Sequence, residues 1–295
     1  MSERSRIVVF GDVIDDVVVV PSGPIRPDTD TVSTIRQRAG GSAANAAAWM
    51  GSLGAAVDFV GRVGRSDLSR HGALLASAGV TPHLIGDPDL PTGTIVVIVD
   101  GEQRTMLTDS GANAHMTPDA VGDELLQAAS LLHFTGYSLF GAHDPAAVRD
   151  LIKRATGNGV EVSVDPGSAG FIADLGAQKF LDAVEGAELL FPNLEEGRVL
   201  TGLRDADEIV ARLCQSFAIV ALTLDTDGVV LGRRGHPTAR IPAVASQIVD
   251  PTGAGDAFAA GFLAEWVHRR DAVAAAEAGA RAGAIAVATI GGRPG

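Results

Sequence analysis

The sequence predicts an α/β protein with a mostly parallel sheet covered by helices. Short β-branched runs alternate with Ala- and Leu-rich helical patterns along nearly the whole chain, the rhythm of repeated strand–helix–strand units. Two segments break that rhythm, 15–38 and 91–109. Both are strand-like and turn-rich, and neither carries a helical pattern. A third observation marks where such a sheet works. Asp250-Pro251-Thr252-Gly253-Ala254-Gly255-Asp256 opens a late apolar helical run. Ligands of open α/β sheets bind beyond the carboxyl ends of the strands.

Strands are expected at 7–10, 57–60, 131–134, 160–164, 189–191, 219–223 and 229–231, each a short apolar run. Helices are expected at 43–53, 68–78, 118–128, 145–156, 175–184, 205–216, 253–267 and 272–288. Segment 91–109 reads as a hairpin, with strands at 94–99 and 104–108 and a turn at Asp100-Gly101. With 15–38 it forms either a small separate sheet placed as a lid over the site or a plain edge hairpin. A lid would exclude water from a transferable phosphate. No repeat, low-complexity tract or long linker divides the chain. It is expected to be one domain, 1–295, with a β lid from about 15–38 and 91–109.

The bulk numbers exclude several classes. A formal charge of −13 argues against nucleic acid as a partner, since phosphate-backbone binding needs a basic face. Cys214 is the only cysteine, so no intrachain disulfide and no cysteine-built metal site can form. The short polar start before the first strand does not read as a signal peptide, and 282–290 is too short and Gly/Ala-rich to span a bilayer. The expected location is the cytoplasm. The seven histidines show no metal-ligand spacing.

Gly253 and Gly255 let backbone approach an anion closely, and the free N–H groups of a helix start favour negative charge there. Asp256 adds a carboxylate able to accept a proton. An anion nest beside a base suggests phosphoryl transfer to a hydroxyl. The plain alternative is an acid that merely suits the helix dipole. A Walker A loop is absent, because Lys153 and Lys179 are the only lysines and neither follows a glycine loop. A protein kinase would need a strand lysine and an H-R-D loop, both missing.

Two signatures resemble those of the PfkB/ribokinase family of small-molecule kinases. One is Asp250 to Asp256. The other is Gly40-Gly41-Ser42-Ala43-Ala44-Asn45-Ala46-Ala47, followed by Gly54 and then Gly61-Arg62-Val63-Gly64-Arg65-Ser66-Asp67. The resemblance covers nearly the whole chain. It implies a ribokinase-like three-layer α/β/α core with a β lid, ATP and Mg²⁺ as cosubstrates, and γ-phosphoryl transfer to an alcohol. It makes Asp256 the catalytic base and Gly253, Ala254 and Gly255 the anion hole. Asp16 matches the acid that grips substrate hydroxyls, with Asp12 and Asp15 as neighbours easily mistaken for it. Gly40, Gly41 and Asn45 match the substrate-side loop.

Asn193-Leu194-Glu195-Glu196 matches the family's N-x-x-E motif, in which Asn193 and Glu196 act near the phosphates and a water-bound Mg²⁺. The same spacing is also a helix capping box, and both readings can hold together. Thr223 and Gly228 match the nucleotide loop. Asp225 departs from the family, which usually has Gly there, and Pro251 stands where Thr is commoner. The resemblance also implies a K⁺-like ion held by backbone carbonyls near Asp250, Thr252 and 288–292. Arg104, on the hairpin, either contacts an acidic or phosphorylated substrate or is a solvated strand face.

The expected function is therefore an ATP-dependent kinase of a small sugar, ribokinase- or fructokinase-like. A nucleoside kinase is the alternative, with Tyr137, Phe140 and Phe10 as the aromatics able to stack a base. A non-catalytic sugar or nucleotide sensor is a third reading, which an intact base and anion hole disfavour. Ile95, Val97, Val99 and Met106 form apolar lid faces that want cover, which predicts a homodimer through the lid.

Overall fold

The structure, a computed structural model, describes residues 5–100, 103–139 and 144–294, with the side chains of 100, 103 and 104 left out. The turn expected at Asp100-Gly101, the first four residues, Phe140 and the side chain of Arg104 lie outside the described residues.

The strands are β1 Arg6–Phe10, β2 Ile14–Pro21, β3 Ser33–Gly40, β4 Ala56–Gly64, β5 Val80–Asp87, β6 Gly93–Asp100, β7 Gln103–Asp109, β8 Leu131–Thr135, β9 Glu161–Asp165, β10 Leu189–Leu190, β11 Ile219–Thr223, β12 Val229–Arg233 and β13 Ala239–Ile241. The helices are α1 Ser42–Ser52, α2 Leu68–Ser77, α3 Asp123–Ala128, α4 Pro145–Gly157, α5 Ala169–Leu175, α6 Ala177–Ala183, α7 Leu194–Thr201, α8 Ala206–Leu213, α9 Ala254–Arg269 and α10 Ala272–Val287.

The larger sheet has the order β13-β12-β11-β10-β9-β8-β1-β4-β5. It is parallel from β11 to β5, while β12 runs antiparallel to both of its neighbours, β11 and β13. Successive side chains of a strand point to opposite faces, so one run of apolar residues feeds two cores. Ile7 and Val9 of β1 pack with α1, α2, α9 and α10, while Val8 and Phe10 pack with α3 through α8. Three layers follow directly. Each fully buried Leu or Phe contributes about 1.5–3 kcal/mol to holding them together.

The smaller sheet has the order β3-β2-β6-β7. Two antiparallel pairs, β2 with β3 and β6 with β7, are joined by a parallel pairing of β2 with β6.

Three expectations need correction. The edge strand β5, like β13, α5 and α7, was not among the expected elements, and Pro82 lies within it. Proline removes a ladder donor and is confined largely to edges, which is where β5 lies. The helix expected at 118–128 is a single 3₁₀ turn at Pro118–Ala120 followed by α3, with Gly122 between them. The helix expected at 175–184 begins at 177, because Gly176 adopts φ 97° and separates α6 from α5.

Candidate active site

A cavity of about 560 Å³ opens beyond the carboxyl ends of β1, β8, β9 and β11. The smaller sheet forms one wall through Ile14, Asp16, Ile95, Val97, Met106 and Thr108. So the apolar face expected to need a partner looks into the cavity. The opposite face carries the exposed Ile35 and Leu107.

The start of α9 forms the floor, and Gly253, Ala254, Gly255 and Asp256 all line the cavity. Gly253 is the N-cap at φ 77°. A side chain there would be strained by that φ, and its Cβ would sit 2.6 Å from the Gly292 Cα. Beyond the cap, the first N–H groups of the helix lack intrahelical acceptors and carry the positive end of its dipole.

Asp256 Oδ1 accepts from Ser42 Oγ at 2.5 Å, and Oδ2 accepts from Asn45 Nδ2 at 3.0 Å. Burial pushes the Asp256 carboxyl up to about 7, and the bonds from Ser42 and Asn45 hold it back from rising further. A carboxyl raised towards neutrality in this way suits a general base.

Ser42 and Asn45 come from the first turn of α1. Gly41, its N-cap, provides no side-chain cap. Asp12, thirty residues earlier, does the capping: Oδ2 accepts from Ser42 N–H at 2.7 Å and Oδ1 from Ala43 N–H at 3.1 Å. That capping brings Asp12 so close that a Cβ on Gly41 would lie 2.5 Å from the Asp12 carbonyl oxygen. The three acids after β1 therefore separate by role. Asp12 caps α1 and reaches the cavity wall, Asp15 binds Arg70 at 2.6 and 2.8 Å, and Asp16 lines the cavity without a capping role. Burial raises the Asp16 carboxyl to about 6 despite the nearby Arg293 guanidinium. Gly40 is not part of the cavity wall. It leaves room for Asp16, whose Oδ2 would lie 2.2 Å from a Cβ there.

At the far end lie Asn193, Glu196, Thr223 and Asp165. Asn193 Oδ1 accepts from Glu196 N–H and Glu196 Oε2 accepts from Asn193 N–H, each at 2.9 Å, a complete capping box on α7. Both residues face the cavity as well, so the cap and the site share them. Burial raises the Asp165 and Glu196 carboxyls, and each is raised further by the other acids of the site. Buried acids with raised affinity for protons also suit a hydrated cation. Among the described residues no three acids, His or Cys stand together as a direct metal cage. Gly228 lies away from the cavity wall and closes the turn after β11 through Leu224 N–H to its carbonyl at 2.8 Å. Asp225 sits in that turn at φ 49°. This is left-handed backbone, which Asp tolerates better than most side chains and glycine best.

The sequence profile of the pfkB family carbohydrate kinases matches residues 4–295. The chain belongs to that family. A curated pfkB relative, the bifunctional protein HldE of Klebsiella pneumoniae, is 31% identical over 267 residues, covering 86% of this chain and 54% of its own. The chain thus spans about half the length of the curated relatives it matches. A probable sugar kinase from Rhizobium etli superposes with a TM-score of 0.87 at 23% identity, over 99% of this chain and 96% of its own. Adenosine kinase from Sinorhizobium meliloti gives 0.86 at 24%, over 99% and 96%. The pfkB fold, a large mostly parallel sheet with a small second sheet, is thereby established for this chain.

Sequence reasoning missed Ser42, Phe171 and Arg293 as residues of this pfkB site. Ser42 stands inside the glycine signature and was legible there as a hydroxyl beside the base. Asp165, just after the strand expected at 160–164, ends β9 and lines the cavity. Phe171 packs edge-to-face on Tyr137 with ring centres 6.0 Å apart, and both line the cavity. Arg293 has no local signal at all. Phe10, expected as a stacking aromatic, is instead fully buried core.

Proposed function

We propose that this protein transfers the γ-phosphoryl group of ATP to a hydroxyl of a small sugar. The observation that supports this most is Asp256, held by Ser42 and Asn45 at the start of α9 and facing the same cavity as Asp16. The acceptor hydroxyls would donate to Asp16, whose carboxylate takes two or more such bonds. Asp256 would take the proton of the attacking hydroxyl. The N–H groups after Gly253 would hold the charge that develops on the transferring group. A water-bound Mg²⁺ near Asn193, Glu196 and Asp165 would neutralise the phosphates when bound. Thr223 would meet the nucleotide. The small sheet would act as the lid of a single domain, and the cytoplasm, where ATP is abundant, would be the working location.

A nucleoside acceptor is the second reading, and the Tyr137–Phe171 pair on the cavity wall favours it. ADP release from ATP and Mg²⁺ should therefore be measured over free sugars, sugar acids, sugar phosphates and nucleosides. A free sugar is expected to be the strong acceptor. Turnover on nucleosides alone would replace that reading with the second, and ligand binding without turnover on any acceptor would favour the sensor. Repeating the assay with K⁺ exchanged for a bulky organic cation tests an ion beside the anion hole. Gly291 N–H donates to Asp250 Oδ2 at 3.0 Å, which brings the two carbonyl-bearing loops together. Loss of rate without K⁺ is expected, and indifference to the exchange removes the ion.

The outer face of the small sheet, with Ile35 62% and Leu107 56% exposed, is proposed to pair with a second copy. The mass in solution at micromolar concentration should be that of a dimer. A monomer would overturn the pairing.

A further inference from the structure

We propose that Arg293 is a positioning residue for the base: it fixes the Asn45 amide so that Asn45 presents its N–H to Asp256. The proposal rests on the reading of Asp256 as the proton acceptor.

Asn45 lies between two charged groups of opposite hydrogen-bonding character. On one side Arg293 Nε donates to Asn45 Oδ1 at 3.3 Å, and Arg293 Nη2 donates to the Gly40 carbonyl at 2.8 Å. On the other side Asn45 Nδ2 donates to Asp256 Oδ2 at 3.0 Å. A guanidinium only donates and an ionised carboxylate only accepts. The amide between them has one satisfactory orientation. Flipped, it would set its oxygen against the carboxylate and its NH₂ against the guanidinium. The flipped amide fits only a protonated Asp256, which cannot act as a base. Arg293 therefore biases Asp256 towards its ionised form through a neighbour it holds, without touching the carboxylate itself.

The guanidinium is well placed for this. Its planar fork reaches two acceptors at once, which a lysine ammonium does not do in a fixed geometry. The segment that carries it is tied down at each residue. Gly291 N–H binds Asp250, and the Gly292 carbonyl accepts from Trp49 Nε1 at 3.0 Å. Gly292 packs directly on the Asn45 amide, and a Cβ there would lie 2.4 Å from Nδ2. Asp12 and Asp16 face Asp256 from the turn after β1 and from β2. Asp165, Glu196 and Tyr137 face it from the other end of the cavity. These groups set the field around Asp256, and Asn45 is the route by which Arg293 acts on it.

The test is a carboxyl ¹³C NMR titration of the full chain without ligands, with the Asp256 signal identified by its loss in Asp256→Asn. Wild type should titrate near 7. Arg293→Met and Asn45→Ala should each raise that midpoint by about one pH unit, the worth of one hydrogen bond to a charged group. The double variant should rise no further than Asn45→Ala alone. An unshifted Arg293→Met midpoint would overturn the proposal, and so would full additivity in the double variant. Should Arg293→Met fail to fold, Arg293→Lys carries the test. It keeps the charge and loses the fork, so its midpoint should also rise, and an unchanged midpoint overturns the proposal. No acceptor or nucleotide is needed. A failure of Asp256 as the base would appear elsewhere, as undiminished turnover by Asp256→Asn.

Discussion

Asp256→Asn is expected to lose turnover by at least three orders of magnitude and yet to melt higher than wild type above about pH 7. The first effect follows from removing the proton acceptor. The second follows from the raised carboxyl, up to about 7 from an ordinary 3.8. Its folded value exceeds its unfolded value, so the folded chain binds the proton more tightly. That stabilises the fold below about pH 4, and the benefit is lost as pH rises through 7. In the alkaline limit the buried charge costs stability. The cost is on the order of 1–3 kcal/mol, less than the full shift implies, because the carboxylate still meets cavity water. An asparagine fits the same partners: its oxygen accepts from Asn45 and its NH₂ donates to the Ser42 hydroxyl. Melting curves at pH 4 and pH 8 should coincide at the first and diverge at the second. Equal curves at both would mean that Asp256 is not held protonated by its surroundings. In wild type the rate should climb with pH about a midpoint near 7.

Gly253→Ala is expected to cost both stability and rate. The N-cap sits at φ 77°, where an L side chain is strained by about 1–2 kcal/mol. The added Cβ also lands 2.6–2.7 Å from Gly292 backbone atoms. Neither side can yield cheaply, since Gly292 is wedged between this cap and Asn45. We expect a loss of about 2 kcal/mol or more, and a fall in rate of about a hundredfold as the helix-start donors move off target. Rate and melting measured on the same preparation decide it. A variant with wild-type rate would show that these N–H groups do not stabilise the transition state.

The layered fold was legible because its evidence is local. β-branched runs and Ala-rich helices announce themselves within ten residues, and two cores need only alternation along each strand. The edge strand with Pro82 and the helix split at Gly176 were hidden by residues that usually end such elements. The floor of the site was legible for the same reason, as Gly253 through Asp256 are consecutive. Its walls were not. Asp12 caps a helix thirty residues on, and Arg293 reaches Asn45 across 248 residues. No periodicity or motif encodes those meetings. Even Asp16 could be told from Asp15 only once Arg70 was seen to claim the latter.

The bond from Asn45 to Asp256 joins residues 211 positions apart. The two helices that carry these residues, α1 and α9, pack against each other in one core on one face of the nine-stranded sheet. Neither helix alone holds both the donor and the acceptor. A chain in which α9 has formed without α1 therefore carries the anion nest and Asp256 without the Ser42 and Asn45 donors that hold its carboxylate. The long span thus makes the two-donor cradle of Asp256 a property of the assembled tertiary structure and of no single helix.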